Sequence, residues 1–168
     1  MGQIGTPREL FFAKLGDILY VEQSLEETLP QLADEASDEE LRKGLEQHIE
    51  QTRSHVRNVE DVFRMLGQSP EPKECAGFDG LKAEHEEMAG EVEDHLLDSV
   101  VAGSAAATEH YEISAYESLI SKARALGESD AVGLLEKNLK EEKETLREVE
   151  SISKRLAKES AKQMAQAS

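Results

Sequence analysis

An apolar seam broken by a single carboxylate, repeated ninety residues further on, limits what this chain can fold into more than any other feature. Phe11, Leu15, Ile18, Glu22, Leu25, Leu29 and Leu32 recur at alternating steps of four and three, the spacing of one buried helix face. Val101, Ala105, Thr108, Ile113, Tyr116, Leu119, Ile120 and Ala123 trace a similar stripe around Glu112. Another helix is predicted through Leu41, Leu45, Ile49, Val56, Val59, Val62, Phe63 and Leu66, with His48, Thr52 and His55 on the same face. A last one runs through Val132, Leu135, Leu139, Leu146, Val149, Ile152 and Leu156, interrupted by Glu142. An ionised carboxylate in a core is costly unless a cation or hydrogen-bond donors compensate it, so each acid raises the question of what faces it.

The repeat answers part of that question. A shift of 90 residues superposes Leu45 on Leu135, Ile49 on Leu139, Val56 on Leu146, Val59 on Val149 and Glu22 on Glu112, while Thr52 falls on Glu142 and His55 on Thr145. The chain therefore reads as two antiparallel helical hairpins of one design, turning near Ser37 and Gly127. Glu22 and Thr52 each lie 15 residues from Ser37, and Glu112 and Glu142 each lie 15 from Gly127. At ~1.5 Å per residue all four sit roughly 22 Å from their turns, at one level of the bundle. Carboxylates that converge in a low-dielectric interior repel, so they are partly protonated or hold cations. Hard or borderline divalent ions such as iron and manganese suit carboxylate and imidazole ligands. The candidate ligands of a two-metal site are Glu22, Glu112 and Glu142, with His55 supplying nitrogen and Glu109, one turn before Glu112, a further carboxylate. His48 and Gln51 are read as hydrogen-bonding supports, and His85, His95 and His110 as exposed. The competing reading is a metal-free buried network with Tyr20, Tyr116 or Asn138.

Local signals set the boundaries. Thr6-Pro7-Arg8-Glu9 predicts a capped helix start, and Pro30 a kink or early end. Ser37 with Glu40 reads as the next capping box, Gly67 as the stop of the second helix, and Ser129-Asp130 as the cap of the last. Between Gln68 and Gly80 the prolines and glycines mark a crossover, followed by a short accessory helix from Leu81 to about Glu93 and a third long helix beginning near Asp98. The expectation is one all-α domain over residues 1–168, with its core at about 8–157, a loose start over residues 1–7 and a fraying tail from about 158. Acidic residues number 36 against 19 basic ones, a formal charge of -17 that disfavours nucleic acid and anionic membranes as partners. Cys75 is the only cysteine, which excludes an intrachain disulfide and suits a reducing cytoplasm; no signal segment or membrane span is evident.

Leu19-Tyr20-Val21-Glu22-Gln23, His48-Ile49-Glu50-Gln51-Thr52 with His55, Gly80-Leu81-Lys82-Ala83-Glu84 and Asp98 match a known pattern. So do Glu109-His110-Tyr111-Glu112-Ile113 with Ala115-Tyr116, and Leu139 with Glu141-Glu142-Lys143. Over about residues 8 to 155 the chain resembles the YciE/YciF stress-protein family of the ferritin-like superfamily. The resemblance implies a ferritin-like four-helix bundle with an accessory helix, commonly a homodimer, tied to bacterial stress responses. It also implies a two-metal centre with peroxide chemistry, and not iron storage, which requires a hollow cage. The usual ferritin-like pattern has Glu-x-x-His on both the second and fourth helices, whereas this chain has Thr52-x-x-His55 and Glu142-x-x-Thr145. Glu109 and Gln51 or water fill those vacancies, or the second metal is held weakly. A non-catalytic stress or interaction protein with a degenerate site is the alternative.

Overall fold

The computed structural model describes residues 3–167 and contains five helices: α1 (Pro7–Glu35), α2 (Glu39–Met65), α3 (Ala76–Glu91), α4 (Asp94–Ala125) and α5 (Ser129–Ala167). Residues 1, 2 and 168, the extremities of the predicted loose start and tail, lie outside the described residues. All seven predicted seam positions of α1, Glu22 included, are buried. The capping box at Thr6 and Glu9 forms as expected, and α1 runs past Pro30 to Glu35 because Leu29, Leu32 and Ala33 remain packed in the core beyond the missing N–H.

α1 pairs with α2, and α4 with α5; the hairpins meet along α2 against α5 and α1 against α4, while α3 lies on α4. Their turns sit at opposite ends of the bundle. At one end Arg8 of α1 pairs with Glu128 of the α4–α5 turn and donates to the Leu66 carbonyl (3.3 Å). At the other, Arg155 of α5 pairs with Asp38 (2.8 Å) beside the α1–α2 turn. Each acid half-way along a hairpin arm is thereby brought to the bundle's mid-level, the ferritin-like arrangement that the sequence predicts. Gly67 (φ 75°) and Gly127 (φ 76°) end α2 and α4 in the left-handed region. In both places the following N–H reaches back five residues, from Gln68 to Phe63 and from Glu128 to Ala123, closing matched Schellman caps.

Several boundaries differ from expectation, each for a tertiary reason. Asp38, not Ser37, caps α2, accepting from the Leu41 N–H at 2.9 Å. Asp98 does not begin α4, which starts at Asp94; its carboxylate instead accepts the backbone N–H groups of Ser37 (2.7 Å) and Asp38 (3.1 Å). α3 begins at Ala76 because Phe78 is drawn into the core. Helical geometry in α5 starts at Ser129, whose neighbour Glu128 accepts the first helical N–H, from Val132. α5 continues to Ala167, with Leu156 the last buried side chain among the described residues. The crossover docks on α1 where Lys73 donates to the Gly16 carbonyl (2.9 Å). No described helix is long and apolar enough to cross a membrane.

Candidate metal centre

The four long helices each turn a polar group into the mid-level of the core: Glu22 from α1, His48, Thr52 and His55 from α2, Glu109, Glu112 and Tyr116 from α4, and Asn138, Glu142 and Thr145 from α5. Glu22, Glu112 and Glu142 are wholly inaccessible and Glu109 is 3% exposed, so four carboxylates share one interior. They fall into two groups, each of whose candidate ligand atoms lie within 4.8 Å of one another. One holds Glu22, His55 and Glu142; the other holds His48, Glu109, Glu112 and Glu142. Glu142 belongs to both. The five sequence-predicted ligands are therefore brought together, and His48 joins them.

The imidazoles are held from outside and open on the inside. His55 Nε2–H donates to Glu141 Oε2 at 2.8 Å, which leaves Nδ1 facing Glu142 Oε1 (2.8 Å) and Glu22 Oε1 (3.4 Å) without a properly directed hydrogen bond. His48 Nδ1 lies 3.2 Å from Gln51 Oε1, leaving Nε2 facing Glu109 Oε1 (3.1 Å) and Glu142 Oε2 (3.8 Å), again without a directed bond. An outer N–H held by an acceptor and an inner nitrogen turned on carboxylates is the arrangement that orients a metal-binding histidine. Both oxygens of Glu112 and of Glu142, one of Glu22 and one of Glu109 are likewise buried without a hydrogen-bond partner. So many orphaned acceptors gathered at one level of the core, with the Thr52 hydroxyl beside them, fit a bound cation. Two divalent ions would balance the four carboxylates in charge.

Tyr116 completes one side. Its phenol donates to Glu22 Oε1 and accepts from Asn138 Nδ2 (3.0 Å), while Asn138 Oδ1 accepts from Asn58 (2.6 Å).

The matches with known proteins agree with this architecture. Residues 6–162 match the family described as a domain of unknown function, DUF892. Protein YciF of Escherichia coli K12 is 30% identical over 142 residues, which cover 83% of this chain and 86% of that one. The chain belongs to the YciF family. Among solved structures, the E. coli stress protein YciF superposes with a TM-score of 0.87 at 26% identity, covering 92% of this chain and 99% of that one. The Rhodopseudomonas palustris protein YcfI, described as a candidate structural protein, gives a TM-score of 0.86 at 38% identity, covering 88% and 95%.

Within this YciF-family bundle the electrostatics follow from burial. Desolvation, then Glu142, Glu22 and Glu109, push the Glu112 carboxyl well above the ordinary range. Desolvation raises Glu142 to about 8, against the pull of His55. Burial alone would lower both histidines, but Glu109 leads His48 up to about 9, and Glu22 and Glu142 lead His55 up to about 11. Desolvation and Glu22 raise Tyr116, which keeps its proton on the phenol.

One of the two departures from the usual pattern has a counterpart in the structure. Thr145 stands where a fourth-helix histidine is usual, and its hydroxyl lies 3.4 Å from His48 Nδ1. His48 thus presents an imidazole to that half of the site from α2, so both rings hang from one helix, 6.3 Å apart. Thr52 is buried with an unpartnered hydroxyl and leaves its carboxylate position unfilled. Glu141, part of the Glu141-Glu142-Lys143 match but not among the sequence-predicted ligands or supports, lies one residue off the seam, and only its length carries it to His55. His85, expected in solvent, is buried because α3 folds it against Ser104 (3.0 Å) and Glu35 (3.0 Å). His95 and His110 are exposed as expected.

Proposed function

We propose that this chain holds two iron or manganese ions in the bundle core and reacts with dioxygen or peroxide, as a stress-response protein of its family. The observation that carries the reading is the pair of histidines fixed at their outer nitrogens with inner nitrogens unbonded among four buried carboxylates. Glu22 and His55 would hold one ion, and His48, Glu109 and Glu112 the other, with Glu142 between them. When bound, two adjacent redox-active ions supply one electron each to an oxidant. Glu141 and Gln51 keep the imidazoles in the ligating tautomer. Tyr116 holds Glu22 in place by its O–H, and the surrounding leucines and valines keep bulk water out. We further propose a homodimer, on the family resemblance alone, and a cytoplasmic location, in keeping with a lone cysteine that sits buried beside the Tyr111 hydroxyl.

Protein purified under metal supply is expected to carry about two ions per chain, and Glu112→Ala to lose them. Sub-stoichiometric metal that this substitution leaves unchanged would refute the reading. A second reading, a non-catalytic bundle whose polar core serves only to fix the register, is favoured by the Tyr116, Asn138 and Asn58 chain and by the approach of both imidazoles to carboxylates. It requires that wild-type protein bind no metal and consume no oxidant.

A further inference from the structure

A narrow cavity of about 20 Å³ runs between the helices on the α1–α2 turn side of the site. Its walls are Leu25 and Leu29 of α1, Leu45 of α2, Ala105 of α4 and Val149 and Ile152 of α5. Its inner end reaches His48, Glu109 and Thr145, and its rim includes the half-buried Gly44 and the exposed Glu148. We propose that this cavity admits and holds dioxygen, a small neutral molecule, and delivers it to the His48 and Glu109 side of the centre; this rests on the two-metal reading above. On this measure about 10–15 Å³ admits one water-sized molecule, so the volume suits a single diatomic. The walls are nearly all apolar, with Thr108 their one hydroxyl before the His48, Glu109 and Thr145 end, so a polar molecule would shed most of its hydration without compensation on the way in, whereas an apolar gas would not. Apolar cavities of this kind stay dry and take up xenon.

Gly44 is the rim position at which a larger side chain is expected to close it. A Cβ at that position meets no atom within 4 Å, and its backbone is ordinary helix, so a larger side chain enters without strain. Hydrogen peroxide, being polar, would lose its hydration in this cavity and is expected to enter elsewhere; Glu141, 25% exposed and bonded to His55, is a partly solvated group beside the centre.

The test combines xenon-pressurised crystals of the wild-type chain and of Gly44→Leu with iron content and oxidant consumption. Gly133→Leu, at an exposed helical glycine with equally open surroundings, controls for the helix-propensity gain. In the reaction followed, dioxygen takes one electron from each of two ferrous ions and two protons, leaving hydrogen peroxide and two ferric ions. Expected are xenon density in the wild-type cavity and none in Gly44→Leu. Dioxygen consumption should fall at least ten-fold in that variant, with iron content and the rate with added peroxide unchanged. Absence of xenon from the wild-type cavity while iron is bound overturns this proposal alone. So does a Gly44→Leu chain that excludes xenon yet consumes dioxygen at the wild-type rate, or one slowed equally with both oxidants. A wild-type chain that binds no iron overturns the two-metal reading and this proposal together, whatever the xenon density.

Discussion

Glu112 has neither oxygen bonded and three other carboxylates about it, so the metal-free chain keeps it at a cost. Glu112→Gln removes the need to hold either a buried charge or a proton and offers N–H donors to the neighbouring acids; it is expected to stabilise metal-free protein by about 1–3 kcal/mol while abolishing metal uptake. Thermal unfolding with parallel elemental analysis checks both halves, and a destabilised, metal-binding variant would contradict the account. The pH dependence has a definite sign. Glu112 and Glu142 titrate near 4.5 when unfolded and higher when folded, Glu142 at about 8, so the folded chain binds more protons in between. Their contribution to stability is full below about 4.5 and is lost as the pH rises towards 8. His48 and His55, raised from 6.5 to about 9 and about 11, add the same slope above 6.5. Metal-free protein should therefore melt higher at about pH 5.5 than at about pH 8.5, and metal-saturated protein should show a smaller or inverted difference, because metal competes with protons. At this scale Glu22, Glu112, Glu142 and His55 were legible because helical periodicity and the 90-residue repeat fix both face and depth. For His48, read from sequence as a hydrogen-bonding support, the nearness to Glu109, Glu142 and Thr145 depends on packing across the bundle, which no local pattern reveals.

Among the elements, the crossover and α1 are in closest contact at Gly16. A Cβ there would stand 2.8 Å from the Glu71 carbonyl oxygen and 3.2 Å from Lys73 Cβ. Backbone cannot step aside as a side-chain tip can, so Gly16→Ala is expected to cost about 1–3 kcal/mol, outweighing the ~1 kcal/mol that alanine gains in helix propensity. A melting temperature equal to or above wild type would show that the crossover yields freely. Asp98 works at the opposite end, where α4 fastens the turn of the other hairpin through two N–H groups. Asp98→Ala should cost about 1–2 kcal/mol and speed amide exchange at Ser37 and Asp38, leaving the metal site intact. The number and pairing of the long helices could be read from apolar spacing. Their ends could not: Asp98, Phe78 and the Leu29–Ala33 packing act from outside the local sequence, and caps shift to suit them.

For the whole molecule, the candidate ligands come from both hairpins and none from α3. Metal at about 100 times its dissociation constant should add about 2.7 kcal/mol per site, and with it a rise in melting temperature of roughly 5–10 °C per site. Chelation should reverse the gain and increase exchange along the α2–α5 and α1–α4 contacts more than along α3, which hydrogen-exchange mass spectrometry resolves. Uniform change across all five helices would argue against a clamp between hairpins. The two imidazoles have a different bearing on the same assembly. Because His48 and His55 stand two turns apart on α2, their separation is a property of one rigid rod and survives any sliding of the hairpins, while the carboxylates travel with whichever hairpin moves. α2 therefore acts as a fixed gauge: breathing of the bundle would open and close the oxygen donors around two nitrogens whose spacing stays the same.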